Sequence, residues 1–181
     1  MKSIKLLFIA FILFTMSANA QITKNNWMVG GNGSFNNTIV KDDDDNTLGK
    51  GYGFRIYPNI GYFFIDKMAG GFKLGFNYGK TEGNSSMVGY GLGPFVRYYF
   101  LNPDKRVNVF AEANYNYYIS KTQNFDATKG YNYNFKAGPE IFFNSSVGLE
   151  VTINYSSSNI NSLISNALSL EVGFQIHLEK K

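Results

Sequence analysis

Residues 88–100 read VGYGLGPFVRYYF, a pattern that indicates the class of fold. Every second residue from Val88 to Phe100 is apolar or aromatic, whereas the residues between them are three glycines, two aromatic residues and Arg97. Successive side chains of a β-strand point to opposite faces of the sheet. The stretch therefore predicts a strand with one wholly apolar face and one face that carries a positive charge.

The same alternation recurs along the chain, and no segment from Trp27 onward shows a convincing helical period. The eight predicted strands span residues 27–37, 52–62, 72–78, 88–100, 107–119, 131–143, 147–155 and 168–178. An even number of strands of about the 9–11 residues that a tilted strand needs to cross a bilayer is typical of a membrane barrel. We therefore expect one all-β domain, a closed eight-stranded antiparallel up-and-down transmembrane β-barrel.

The connections between these strands alternate in length. Long polar connections are expected at residues 39–50, 79–87, 120–130 and 156–166, and short ones at 65–67, 101–106 and 144–145. Long loops at one rim and tight turns at the other are the usual layout of an outer-membrane barrel. Pro58, Pro94 and Pro139 occupy matching places on even-numbered strands, where we expect a local break in the hydrogen-bond ladder.

The charged residues identify the two faces of the barrel wall. The apolar face of the seven clearest strands carries no charged residue. A charge facing lipid at mid-bilayer costs about 2–4 kcal/mol, so this face is expected to point outward. The opposite face is then the interior, and it carries eight charges: Arg55, Lys73, Arg97, Glu112, Lys136, Glu140, Glu150 and Glu171.

These interior charges predict an ion network. Hairpin pairing across residues 101–106 brings Arg97 beside Glu112, which predicts an ion pair. Pairing across residues 144–145 sets Glu140 beside Glu150, and like charges placed directly opposite one another are destabilising. These two carboxylates therefore need cations from neighbouring strands, with Arg97 at the centre because a guanidinium can bridge two carboxylates.

Residues 1–20 have the composition of an export signal. Lys2 and Lys5 precede an apolar run from Leu6 to Met16, and Ala18-Asn19-Ala20 follows it. The apolar run is shorter than the roughly 20 residues that a membrane-spanning helix needs. We expect a cleaved signal peptide at 1–20 and an outer-membrane barrel domain at 21–181.

From Trp27 to Leu178 the chain resembles the small eight-stranded outer-membrane barrels of the outer-membrane protein A and X type. It also resembles, more loosely, the outer membrane protein beta-barrel domain family. The alternation, the loop asymmetry and the length carry this resemblance. It implies an outer-membrane location, a periplasmic N-terminus and long loops at the cell surface.

Few residues suggest catalytic or metal chemistry. The 181-residue chain has no Cys, which excludes disulfides, thiol nucleophiles and Cys-based zinc sites. The only histidine, His177, is interpreted as a satisfied polar residue at the periplasmic mouth of the barrel rather than a catalytic one. Four consecutive acidic residues, Asp42–Asp45, lack the spacing of a cation site and are interpreted as a solvated loop.

Two nucleotide-like motifs are also better explained by the barrel. Gly79-Lys80-Thr81 lacks the earlier glycine and the following helix of a phosphate-binding loop. The glycine runs at 30–33 and 89–93 lie in predicted strands, where inward glycines make room for large neighbours. The formal net charge is +4, and Lys2 and Lys5 of the leader supply half of it, so a nucleic-acid partner gains no support.

The resulting hypothesis is a plugged, ion-paired barrel with a structural or surface-interaction role exerted through its extracellular loops. An eight-stranded barrel is just wide enough for its own side chains, and this one must also hold eight charges. The alternative is a narrow pore for small solutes or ions. We expect no enzymatic activity, no cofactor and no metal, and a monomer whose partners are outer-membrane lipid and the barrel-insertion machinery. The sequence identifies no extracellular ligand of the loops.

Overall fold

The computed structural model describes residues 22–41, 45, 47–82, 86–160 and 163–179. Its eight strands are β1 Trp27–Lys41, β2 Thr47–Ile65, β3 Met68–Thr81, β4 Met87–Tyr99, β5 Val107–Thr122, β6 Thr128–Phe142, β7 Val147–Ile160 and β8 Leu163–Leu178. Each strand pairs with the next in an antiparallel manner, and β1 pairs with β8, which closes the barrel. The predicted fold class is confirmed. The expected signal peptide at 1–20 lies outside the described residues.

The strands extend further than predicted at one rim, so the expectation of long loops there is wrong. The remaining connections at that rim span residues 42–46, 82–86, 123–127 and 161–162. The polar run Ser156–Ile160, for example, pairs with Leu163–Ala167 of β8. An apolar alternation marks the part of a strand that faces lipid, whereas hydrogen-bond pairing continues into water with polar side chains.

The expected ladder breaks at the prolines are present. Near Pro94, the β4–β5 register passes from Leu92–Tyr117 directly to Phe95–Asn114. Corresponding gaps follow Ile56–Phe76 in the β2–β3 register and Ala137–Ile153 in the β6–β7 register. In all three cases proline, which has no N–H donor, interrupts pairing with the following strand.

The two faces of the wall are oriented as the charge distribution predicts. The apolar side chains of the strands are exposed on the outside, as expected of a surface that contacts lipid. The interior holds a group of buried aromatic residues, Phe63, Phe95, Tyr99, Phe110 and Phe142. Most of the predicted interior charges are buried among these rings, so the closed section of the barrel is filled with side chains.

The seam between β1 and β8 is closed along only part of its length. Residues Trp27–Gly33 pair with Val172–Leu178, and the described residues of the two strands have no register pairs beyond that point. Gly31 has a φ of 154°, a conformation that favours glycine, and a Cβ there would lie 2.5 Å from the carbonyl oxygen of Tyr57. The upper halves of β1 and β8 therefore separate above a closed lower half.

The segment before β1 covers the rim that carries the short turns. Lys67 donates its backbone N–H to the Ile22 carbonyl at 2.8 Å, and Asn25 donates to the Phe63 carbonyl at 2.8 Å. Ile22 is fully buried against the barrel interior. This segment therefore closes the lower end of the barrel.

Candidate functional site

Six charged side chains from neighbouring strands meet inside the closed half of the barrel. The register pairs Arg97 of β4 with Glu112 of β5, and Glu112 with Lys136 of β6. It also places Glu140 of β6 directly opposite Glu150 of β7, as the hairpin argument predicts. We call the following six residues the buried ion network: Lys73, Arg97, Glu112, Lys136, Glu140 and Glu150.

Arg97 lies at the centre of the buried ion network, and its side chain is fully buried. Its Nε and Nη2 donate to Glu112 Oε2 at 2.9 and 2.7 Å. Its Nη1 donates to Glu150 Oε1 and to the Tyr99 hydroxyl, and lies 3.7 Å from Glu140 Oε2. One guanidinium therefore links three carboxylates, in the way that its planar donor set allows.

Two lysines complete the ion pairing. The Lys73 ammonium of β3 contacts Glu112 Oε1. The Lys136 ammonium lies 3.1 Å from Glu150 Oε2 and 4.0 Å from Glu112 Oε2. Three cations thus face three carboxylates, so the buried ion network is electrically balanced. Balance matters here because an uncompensated charge in a dry interior is strongly destabilising.

Glu140 receives its closest contacts from Tyr99 and His177. The Tyr99 hydroxyl donates to Glu140 Oε2 at 2.6 Å, and His177 Nε2 lies 2.8 Å from Glu140 Oε1. Because a carboxylate accepts, this bond assigns the proton to Nε2 of His177. His177 Nδ1 has no hydrogen-bond partner among the described residues. A Cβ atom added to Gly148 would clash with Glu140 Oε1, so this glycine leaves room for the carboxylate.

Aromatic rings enclose the charges. The Arg97 guanidinium carbon lies 4.1 Å from the centre of the Phe110 ring, within cation–π range. His177 packs against three rings, those of Phe63, Tyr99 and Phe142. The rings and the charged side chains together fill the interior, and the His177 side chain is fully buried among them.

The structure does not bring Arg55 and Glu171 into the buried ion network. Arg55 is exposed on the inner face, and no ion pair to it is found among the described residues. Glu171 instead accepts hydrogen bonds from Asn32 Nδ2 at 2.9 Å and Asn154 Nδ2 at 3.0 Å. Alternation fixes the face that a side chain occupies but not its depth, which is why the sequence grouped these two residues with the other six.

Sequence reasoning missed the part that two uncharged residues play at this site. Tyr99 is one of the two aromatic residues on the charged face of the strand at 88–100, and His177 was expected at the barrel mouth. Both side chains are fully buried and both contact Glu140. The alternation of the strands could have indicated this role, since both residues lie on the charged face of their strands. Tyr99 is two residues from Arg97, and His177 is two residues from Gln175.

The other sequence motifs lie in or beside strands. Gly79-Lys80-Thr81 forms the end of β3, and both glycine runs lie in strands. Asp42, Asp43 and Asp44 lie outside the described residues. In the part of the chain that the structure describes, no cluster of three or more His, Asp or Glu side chains is arranged to hold a metal ion. No helix among those residues is long and apolar enough to cross a membrane.

Comparison with known proteins supports this architecture. The family described as "Outer membrane protein beta-barrel domain" matches residues 6–177. Neisserial surface protein A is similar over 86% of this chain and 97% of its own, with 14% identity and a TM-score of 0.58. OprG of Pseudomonas aeruginosa is similar over 89% of this chain and 100% of its own, with 12% identity and a TM-score of 0.55. The N-terminal barrel of OprF from the same organism covers 86% of this chain and 98% of its own, with 16% identity and a TM-score of 0.51. A search of curated proteins found no match.

Proposed function

Because this chain belongs to the outer membrane protein beta-barrel domain family and resides in the cell outer membrane, we propose that it is a plugged barrel with a structural or surface-interaction role. In this proposal the closed half anchors the protein in the membrane, and the extended hairpins of the upper rim meet the surroundings. The protein acts as a monomer, with outer-membrane lipid around it and the barrel-insertion machinery as its partner during biogenesis.

One observation supports the plugged interior above all others. Arg97 is fully buried and is held by Glu112, Glu150 and Tyr99 in the middle of the closed section. A water-filled path at this depth would have to separate these groups. Separation of buried ion pairs costs several kcal/mol, so the closed arrangement is expected to persist.

The fully buried rings of Phe63, Phe110 and Phe142 add a second barrier, together with Ile22 at the lower rim. An eight-stranded barrel leaves little space beyond its own side chains. These features favour the plugged barrel over the narrow pore. We assign no enzymatic activity, since the only histidine of the chain is buried among aromatic rings.

Planar-bilayer recording tests the proposal. Residues 21–181 are refolded and inserted, and insertion is verified by circular dichroism of vesicles made from the same protein. We expect no persistent open level, because the buried ion network blocks the interior. A stable unit conductance that scales with salt concentration would support the narrow pore instead and refute the plugged barrel.

A further inference from the structure

Four lysines face outward at the upper edge of the apolar belt. Lys50 precedes outward Tyr52 by two residues, and Lys80 follows outward Tyr78 by two. The same arrangement recurs on β5 and β6, where Lys121 follows the outward Ile119 and Lys129 precedes the outward Tyr131. Because side chains alternate, each of these lysines lies on the lipid-facing side of its strand. The four lysines are Lys50, Lys80, Lys121 and Lys129, and all four are exposed.

The register joins these lysines into two pairs. Tyr52 is paired with Lys80, and the Glu82 backbone N–H donates to the Lys50 carbonyl at 2.7 Å. Lys50 and Lys80 are therefore diagonal neighbours on one face of β2 and β3, which we call the first lysine pair. Diagonal neighbours lie about 7–8 Å apart, within reach of long side chains.

The second lysine pair, Lys121 and Lys129, forms in the same way on β5 and β6. Ile119 is paired with Lys129, which makes Lys121 the diagonal neighbour of Lys129. Both pairs thus have a lysine on each strand of a hairpin, two residues beyond an outward apolar or aromatic residue. The repetition places positive charge at the upper ends of two strand pairs.

A shallow pocket lies at the first lysine pair. Its volume is about 230 Å³, and it is lined by Asn37, Lys50, Gly51, Tyr52, Lys80 and Glu82. Among the described residues, neither pair has a salt bridge to a carboxylate, whereas Lys41 on β1 is paired with Asp45 at 2.7 Å. The Glu82 side chain offsets one charge of the first pair, and the pocket keeps a positive excess.

The surface directly below the pocket is apolar. The rings of Tyr52 and Tyr78 are in contact, with centroids 6.1 Å apart, and Phe54 packs against Tyr78 and Phe76 at 5.6 Å. Tyrosine is enriched at the level of lipid headgroups, where one end of the side chain is apolar and the other is wet. The lysines just beyond the tyrosines consequently lie at the level where lipid phosphates are found.

We propose that each lysine pair binds the phosphate of an anionic lipid headgroup, whose acyl chains lie along the apolar face below. Charge complementarity selects the phosphate, and the adjoining apolar surface selects a lipid over free phosphate. A lysine near a membrane surface strengthens the binding of anionic lipid about fivefold. This site requires the membrane location of the barrel and is independent of the plugged interior.

Electron spin resonance with spin-labelled lipids tests the site. The refolded protein is placed in phosphatidylcholine vesicles, and its preference for spin-labelled phosphatidic acid over spin-labelled phosphatidylcholine is measured. The test variants are Lys50→Gln/Lys80→Gln and Lys121→Gln/Lys129→Gln. Lys24→Gln/Lys105→Gln is the matched control, because it removes the same charge from exposed positions at the opposite rim.

We expect each test variant to lose about half of the wild-type excess of phosphatidic acid over phosphatidylcholine, because the other lysine pair remains, and the control to keep the wild-type preference. The wild-type preference should also fall as salt concentration rises, because exposed charges are screened. The proposal is wrong if a test variant keeps the wild-type preference, or if the control loses as much as the test variants. Competition by inorganic phosphate at matched ionic strength would assign the site to a free anion instead of a lipid.

Discussion

Replacement of Arg97 by methionine is the most direct test of the buried ion network. The wild-type interior balances three cations with three carboxylates, and Arg97→Met leaves Lys73 and Lys136 against three negative charges. Methionine fills much of the arginine stem volume, so the main change is the loss of the guanidinium and its hydrogen bonds.

The loss in the free energy of unfolding depends on the contacts that the three carboxylates keep in Arg97→Met. Loss of one partner of a buried ion pair costs about 3–5 kcal/mol. Each carboxylate keeps at least one other contact after the change: Glu112 keeps Lys73, Glu150 keeps Lys136, and Glu140 keeps Tyr99 and His177. We therefore expect the lower end of this range, a loss of about 3 kcal/mol in the free energy of unfolding.

Urea titration of the refolded barrel in lipid vesicles measures this loss, provided that the slope of the free energy against urea concentration stays unchanged. Arg55→Met is the matched control, because Arg55 lies on the same inner face but is exposed and outside the buried ion network. We expect a change within about 0.5 kcal/mol for the control.

The double variant Arg97→Met/Glu112→Gln separates charge balance from packing. It restores equal numbers of buried cations and carboxylates, so its loss should be smaller than the sum of the two single losses by about 0.5–3 kcal/mol. The reasoning is refuted if Arg97→Met destabilises the barrel no more than Arg55→Met, or if the two single effects simply add.

Two further predictions concern the wall of the barrel. Leu92→Arg, on the lipid face, should reduce the free energy of unfolding by about 2–4 kcal/mol. Asn114→Arg, on the inner face, should reduce it less because Glu112 lies nearby. Equal losses in a urea titration would contradict the face assignment. Gly93→Ala should cost about 1–3 kcal/mol, since its Cβ would lie 1.7 Å from the Tyr115 carbonyl oxygen. Gly79→Ala, where the nearest atom is 4.0 Å away, is the control and should be nearly neutral. Similar unfolding midpoints for both alanine variants would contradict a close approach of Gly93 to the Tyr115 backbone.

The sequence was sufficient to predict the neighbours within each hairpin. Short turns fix the pairing of the flanking strands, so the Arg97–Glu112 pair and the Glu140–Glu150 juxtaposition followed from residue counting. The outward face followed from the absence of charge on one side of each strand. Both inferences rest on the alternation of side chains between the two faces of a strand, which has a period of two residues.

The depth of each side chain was not predictable in the same way. Strand tilt and stagger decide which residues of distant strands meet, and they depend on the closed barrel as a whole. Arg55 and Glu171 share the inner face with Arg97 but lie outside its reach. His177 reaches Glu140 from a strand that is two places away around the wall, a contact that no hairpin count reveals.

The length of the closed seam has a related physical origin. The β1–β8 pair joins the two ends of the barrel, so no turn fixes its register, unlike the seven hairpin pairs. The seam is closed from Trp27 to Gly33, and this section includes the pairing of Met28 with His177, which contacts the buried ion network.

Above the closed section, the described residues of β1 and β8 have no register pairs across the seam, and unpaired backbone groups are costly in hydrocarbon. The polar contacts of Glu171 with Asn32 and Asn154 lie at this transition. In the proposed function, the closed, ion-paired lower half therefore serves as the membrane anchor, and the upper half serves as the surface-interaction region of the same wall.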